Sequence, residues 1–112
     1  MLTLLSPLKF ETGDGRSAIV LWLCEPFDEH YSFRTALAEL EQALGSSSDP
    51  ATHELPEEWP MEDFVDGLFR WGSRQFALYY ERSLGYLQFS SESLPDMEAL
   101  YAALSLVTRV NT

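Results

Sequence analysis

Three consecutive runs between Val65 and Ser90 alternate in character from one residue to the next, and this pattern constrains the fold more than any other. Val65, Gly67, Phe69 and Trp71 fall on one side of an extended chain, and Asp66, Leu68 and Arg70 on the other. Phe76, Leu78 and Tyr80 alternate in the same way with Ala77, Tyr79 and Glu81, and Tyr86 to Ser90 makes a third run. Successive side chains of a strand point to opposite faces, so a period of two gathers each apolar set on one side. Gly72-Ser73 and Arg82-Ser83-Leu84-Gly85 read as tight connections, because glycine reaches positive φ without steric cost. The pattern predicts an antiparallel meander of Val65–Trp71, Gln75–Glu81 and Tyr86–Ser90.

A different period flanks it. Phe33, Leu37, Leu40 and Leu44 recur at intervals of four, three and four, the spacing of one helical stripe facing a core. Ser32 is a candidate N-cap and Gly45 a terminator. Met97, Leu100, Tyr101, Leu104 and Val107 make a second stripe, with Ser93 and Pro95 at its start. Towards the N-terminus, Leu2 to Glu11 reads as a strand in which Pro7 marks an edge or a bulge. After a Gly13-Asp14-Gly15 turn, the apolar run Ser17 to Cys24 reads as a central strand covered on both faces. Ser46 to Pro50 is a loop. The order β-β-α-β-β-β-α predicts an α+β fold, an antiparallel sheet with two helices packed on one face. At 112 residues, 46% of them hydrophobic and 13% aromatic, the chain fits one domain over 1–112 with a core that needs no staples.

Charge narrows the function. Eighteen acidic residues against seven basic ones give a formal charge of −11. Nucleic-acid and anionic membrane surfaces call for a basic footprint, so neither is an expected partner. A basic protein is, because complementary charge speeds encounter and penalises wrong partners. No apolar run reaches the ~20 residues of a membrane span. The first ten residues lack a basic segment and a small-residue cleavage site, so no secretory signal is expected. Cys24 is the only cysteine and lies in an apolar run, as a small buried thiol would. These features point to a reducing cytoplasm.

Catalytic equipment is sparse. The two histidines, His30 and His53, stand apart, and Glu25-Pro-Phe-Asp-Glu-His30 has no closed zinc spacing. No glycine-rich loop opens a helix to hold phosphates. Glu57-Glu58 and Glu62-Asp63 lie in a polar stretch, whereas acid–base work needs environments that separate two pKa values. The expectation is no catalytic residue, no metal and no cofactor. A small metal-dependent hydrolase using His30 and nearby acids is the least favoured alternative.

One segment has the composition of a binding patch. From Asp49 to Asp66 there are seven acidic residues and no basic one, with Trp59, Met61 and Phe64 among them. Apolar anchors surrounded by charge are what interfaces are made of. The candidate partner-binding residues are Glu54, Glu57, Glu58, Trp59, Glu62, Asp63 and Asp66. Glu25, Asp28 and Glu29 would join them if the turn after the second strand lies beside this block. The competing reading tucks Trp59 and Phe64 under the sheet and leaves the acids to water.

The stretch Phe69-Arg-Trp-Gly-Ser-Arg-Gln-Phe-Ala-Leu-Tyr-Tyr-Glu-Arg-Ser-Leu-Gly-Tyr-Leu-Gln-Phe-Ser-Ser91, followed by a short amphipathic helix, resembles small immunity proteins of bacterial polymorphic toxin systems. These include contact-dependent inhibition and type VI effector immunity. The resemblance covers about Asp63 to Val107 and consists of scaffold residues, so no functional residue carries over. It implies a cytoplasmic inhibitor that occludes the basic active-site cleft of a cognate toxin domain. An acidic nucleic-acid mimic that blocks a nuclease is the alternative; its carboxylates would be spaced along an extended surface like phosphates.

Overall fold

The computed structural model describes residues 2–23, 33–57, 64–82 and 85–110. The meander is present, as β5 (Phe64–Trp71), β6 (Arg74–Glu81) and β7 (Tyr86–Ser91). Gly72 and Gly85 sit in its two connections at φ of 63° and 62°, the left-handed region that an L side chain rarely enters. A hairpin of β2 (Lys9–Gly13) and β3 (Arg16–Trp22) joins through an antiparallel β3–β7 ladder. A short strand, β4 (Ala51–Glu54), closes the other edge. The six strands run in the order β2-β3-β7-β6-β5-β4, antiparallel throughout.

Helix α1 (Phe33–Leu44) has the limits its apolar stripe sets, and all four stripe residues are buried. Gly45 N–H donates to the Glu41 carbonyl at 2.8 Å, closing its last turn. Helix α2 (Leu94–Val107) starts where the sequence predicts, with Ser93 as N-cap accepting from the Asp96 N–H. The proposed cap Ser32 lies outside the described residues. Both helices lie on the same side of the sheet, over Ile19, Leu21, Phe69, Phe76, Leu78, Tyr80, Leu87 and Phe89. Phe33 stacks flat on Tyr80 with ring centroids 4.0 Å apart, which fixes the start of α1 against β6.

The fold departs from the predicted order in four places. Leu2–Glu11 is not one strand, because β1 (Leu2–Leu4) and β2 are separated. Leu4 bridges Leu23 while Lys9 pairs with Val20, so the edge chain spends more residues than its neighbour and bulges around Pro7, which has no N–H to offer a ladder. The second departure is β8 (Thr108–Val110), which leaves α2 directly and pairs in parallel with β1. Too short to show a period, it is set by tertiary pairing. The third is β4, where the acidic block begins as a strand rather than a loop. Lastly, β3 is covered by helices on one face only; Val20, on the other, is still just 2% exposed.

Gly67 governs how β4 meets β5. A Cβ at this position would lie 2.4 Å from Leu55 Cδ2 and 2.5 Å from the Glu54 carbonyl oxygen. The chain leaving β4 therefore crosses directly over bare backbone. The Gly67→Ala variant should lose about 1–3 kcal/mol of stability, because the nearer backbone atom cannot swing aside. Urea denaturation checks this, and an unchanged midpoint would contradict the close packing.

Candidate partner-binding face

The sheet face turned away from the helices can be followed row by row from the register. Trp22 stands opposite Tyr86, Tyr86 opposite Glu81, and Glu81 opposite Phe64, so these four side chains cross four strands in one line. The next row runs Lys9, Val20, Gln88, Tyr79 and Asp66. Glu11, Ala18, Ser90, Ala77, Leu68 and Glu54 form the third.

Aromatic rings occupy the middle. Trp22 and Tyr86 meet edge to face at 4.9 Å, and Tyr86 meets Tyr79 in the same manner at 6.1 Å. Such contacts hold rings in place, so they present fixed apolar area at small entropic cost. Phe64 closes the row and is 63% exposed. The Tyr86 hydroxyl donates to Gln88 Oε1 at 2.6 Å, and the Tyr79 hydroxyl donates to Glu81 Oε2 at 3.5 Å.

Carboxylates ring these tyrosines. Desolvation raises the Tyr79 pKa above the usual 10.0, and the negative charges of Glu81 and Asp66 raise it further. Tyr86 is raised by desolvation first and then by Glu11. Both phenols stay neutral donors at physiological pH. A folded pKa above the unfolded one favours the native state below the ordinary tyrosine value, and that contribution fades as pH rises through the folded value.

The seven cationic side chains all lie among the described residues. Lys9 pairs with Glu11 at 3.2 Å and Arg70 with Glu54 at 2.9 Å. Arg74 lies 4.5 Å over the Trp71 ring, with Asp49 at 3.9 Å and Asp96 at 4.0 Å. Arg16 donates to Ser90, Arg34 to the Pro56 carbonyl and Arg109 to Thr3. None of the seven, including Arg82 next to Glu81 in the chain, forms an ion pair with Asp66 or Glu81.

The residues singled out from the sequence divide into three groups. Glu54 and Asp66 come together on this face, in adjacent strands. Glu57 is exposed in the chain beyond β4. Glu25, Asp28, Glu29, Glu58, Trp59, Glu62 and Asp63 lie outside the described residues, as do Cys24 and His30. Phe64 does not tuck under the sheet. Leu23, just after β3, and Phe64, the first residue of β5, stand at the same end of the sheet.

Sequence reasoning passed over Trp22, Tyr79, Tyr86, Glu81 and Glu11. The signal was available for Tyr79, a large ring on the polar side of an alternating strand. His53, read as isolated, contacts the Glu41 carboxylate through Nδ1 and ties α1 to β4. Among the described residues no three His, Cys, Asp or Glu side chains gather as a metal site, and no helix is long and apolar enough to cross a membrane. No known family model, curated protein or solved structure matches the chain.

Proposed function

We propose that this protein is an immunity protein that binds a basic toxin domain through the sheet face turned away from the helices and neutralises it by covering its active-site cleft. The observation that carries the reading is the aromatic row Trp22–Tyr86–Glu81–Phe64, backed by Tyr79 and Asp66 and left uncovered by both helices. Fixed aromatic anchors with charge around them have the make-up of binding hot spots. A formal charge of −11 selects a cationic partner and accelerates its approach. The resemblance of the meander and terminal helix to toxin immunity proteins supports the same role.

The test is to look for a toxin domain encoded beside this protein and to co-express the two. The wild-type protein should restore growth. A Trp22→Ala, Tyr86→Ala variant that remains folded by circular dichroism should lose protection, because truncating paired anchors raises the dissociation rate. Full protection by that variant would move the interface off this face, and no protection by wild type would overturn the function.

A further inference from the structure

We propose that Tyr79, Asp66 and Glu81 form a seat for one arginine side chain of the partner protein. The inference rests on the binding role above and names the chemistry that the face reads. Tyr79 lies in the middle of β6. Asp66 is directly opposite on β5, where Cβ atoms are about 4.5–5.5 Å apart. Glu81 is two residues further along β6 on the same face, about 7 Å away. A planar cation laid on the Tyr79 ring would have Asp66 across from it on β5 and the Glu81 carboxylate, which accepts from the Tyr79 hydroxyl at 3.5 Å, at the phenol end.

The protein contains a filled version of this arrangement. Arg74 lies over Trp71 with Asp49 and Asp96 both within 4.0 Å, so an aromatic ring and two carboxylates hold one guanidinium. Around Tyr79 the ring and the two carboxylates are repeated. None of the chain's own arginines or lysines pairs with those acids. After desolvation, the negative charges of Glu81 and Asp66 also raise the pKa of the Tyr79 hydroxyl, so both act on the same side chain. Lys9, in the same row, is engaged by Glu11 and stands beyond Val20 and Gln88.

Arginine suits the seat better than lysine. Its guanidinium is flat and weakly hydrated, so it can stack on a ring while its edge N–H groups donate sideways to two acceptors. An ammonium is a compact, strongly hydrated point charge and gains less from the ring.

The test titrates the full ¹⁵N-labelled chain with capped tetra-arginine, tetra-lysine and tetra-citrulline peptides. The arginine peptide should move the amide signals of Asp66, Tyr79 and Gln88 first. The lysine peptide should bind several-fold more weakly, and the neutral citrulline peptide not measurably. Asp66→Asn with Glu81→Gln should weaken arginine-peptide binding about tenfold or more, as loss of charge-assisted hydrogen bonds requires. Glu92→Gln with Glu98→Gln should leave it nearly unchanged. Shifts spread over the whole acidic surface, or wild-type affinity in the Asp66/Glu81 variant, would overturn the seat. If the toxin domain still needs Trp22 while the arginine peptide ignores Tyr79, the seat fails and the immunity role stands. If the peptide seats but the toxin domain does not bind, the function fails and the arginine-reading site stands.

Discussion

Replacing Asp66 and Glu81 with lysine together should weaken binding to the proposed basic partner by about 100-fold or more. Truncating one partner of a buried charge pair costs on the order of 2–5 kcal/mol, and reversal adds repulsion. Both acids flank Tyr79 and neither pairs with an internal arginine or lysine, so the folded monomer has little to lose. Reversing the exposed Glu92 and Glu98 should cost far less. Reversing Glu57, Glu58, Glu62 and Asp63 separates two versions of the interface. If the acidic segment before β5 carries the contact, that fourfold change has the larger effect; if the sheet face carries it, the double change does. A titration at low and high salt decides, because rim charges act mainly on the association rate and its salt dependence.

The second large effect concerns the core. Phe89 is fully buried in β7, between Ile19 and Leu78 in register, with the Phe69 ring 5.0 Å away. It sits where the two halves of the sheet meet the helices. Phe89→Ala should cost about 3–5 kcal/mol, the lost transfer energy plus the cavity. A domain of this size has only about 5–15 kcal/mol to lose, so the variant should be largely unfolded at modest urea. The control is Phe64→Ala, an equal truncation at an exposed position, which should stay within about 0.5 kcal/mol of wild type. A small loss for Phe89→Ala would mean that the sheet and helices pack less tightly than described.

Local periods were legible in the sequence and long-range partners were not. The stripes of α1 and α2 and the alternation of β5, β6 and β7 are each written within a dozen residues, and the fold keeps them. β1 and β8 are three residues each, with no period to display, and exist because each supplies the other's hydrogen bonds. β4 was hidden by its composition, since His53 and Glu54 look like loop residues until Glu41 and Arg70 are placed beside them. The candidate face was half legible. Asp66 and Glu54 were identified by charge. Trp22 lies in a run that is apolar throughout and so reads as core, and only the placement of both helices on the opposite side leaves its face without a helix. Tyr86 and Trp22 become neighbours through the β3–β7 register, which no local window contains.

The β3–β7 ladder joins strands more than sixty residues apart in the chain, and the aromatic row is assembled across it. Trp22 comes from one side of this seam; Tyr86, Tyr79, Glu81 and Phe64 come from the other. The meander β5–β6–β7 and the hairpin β2–β3 are each built from near neighbours, whereas the seam must wait for a long loop to close. Neither half alone presents the row. The complete row exists only once residues beyond Tyr86 have been made and the seam has closed, although Phe64, Asp66, Tyr79 and Glu81 already stand together in β5 and β6. On the proposed role, a partner that needs Trp22 as well as Tyr86 proofreads completed folding: it would bind only molecules whose halves have met, and by binding would hold the seam shut.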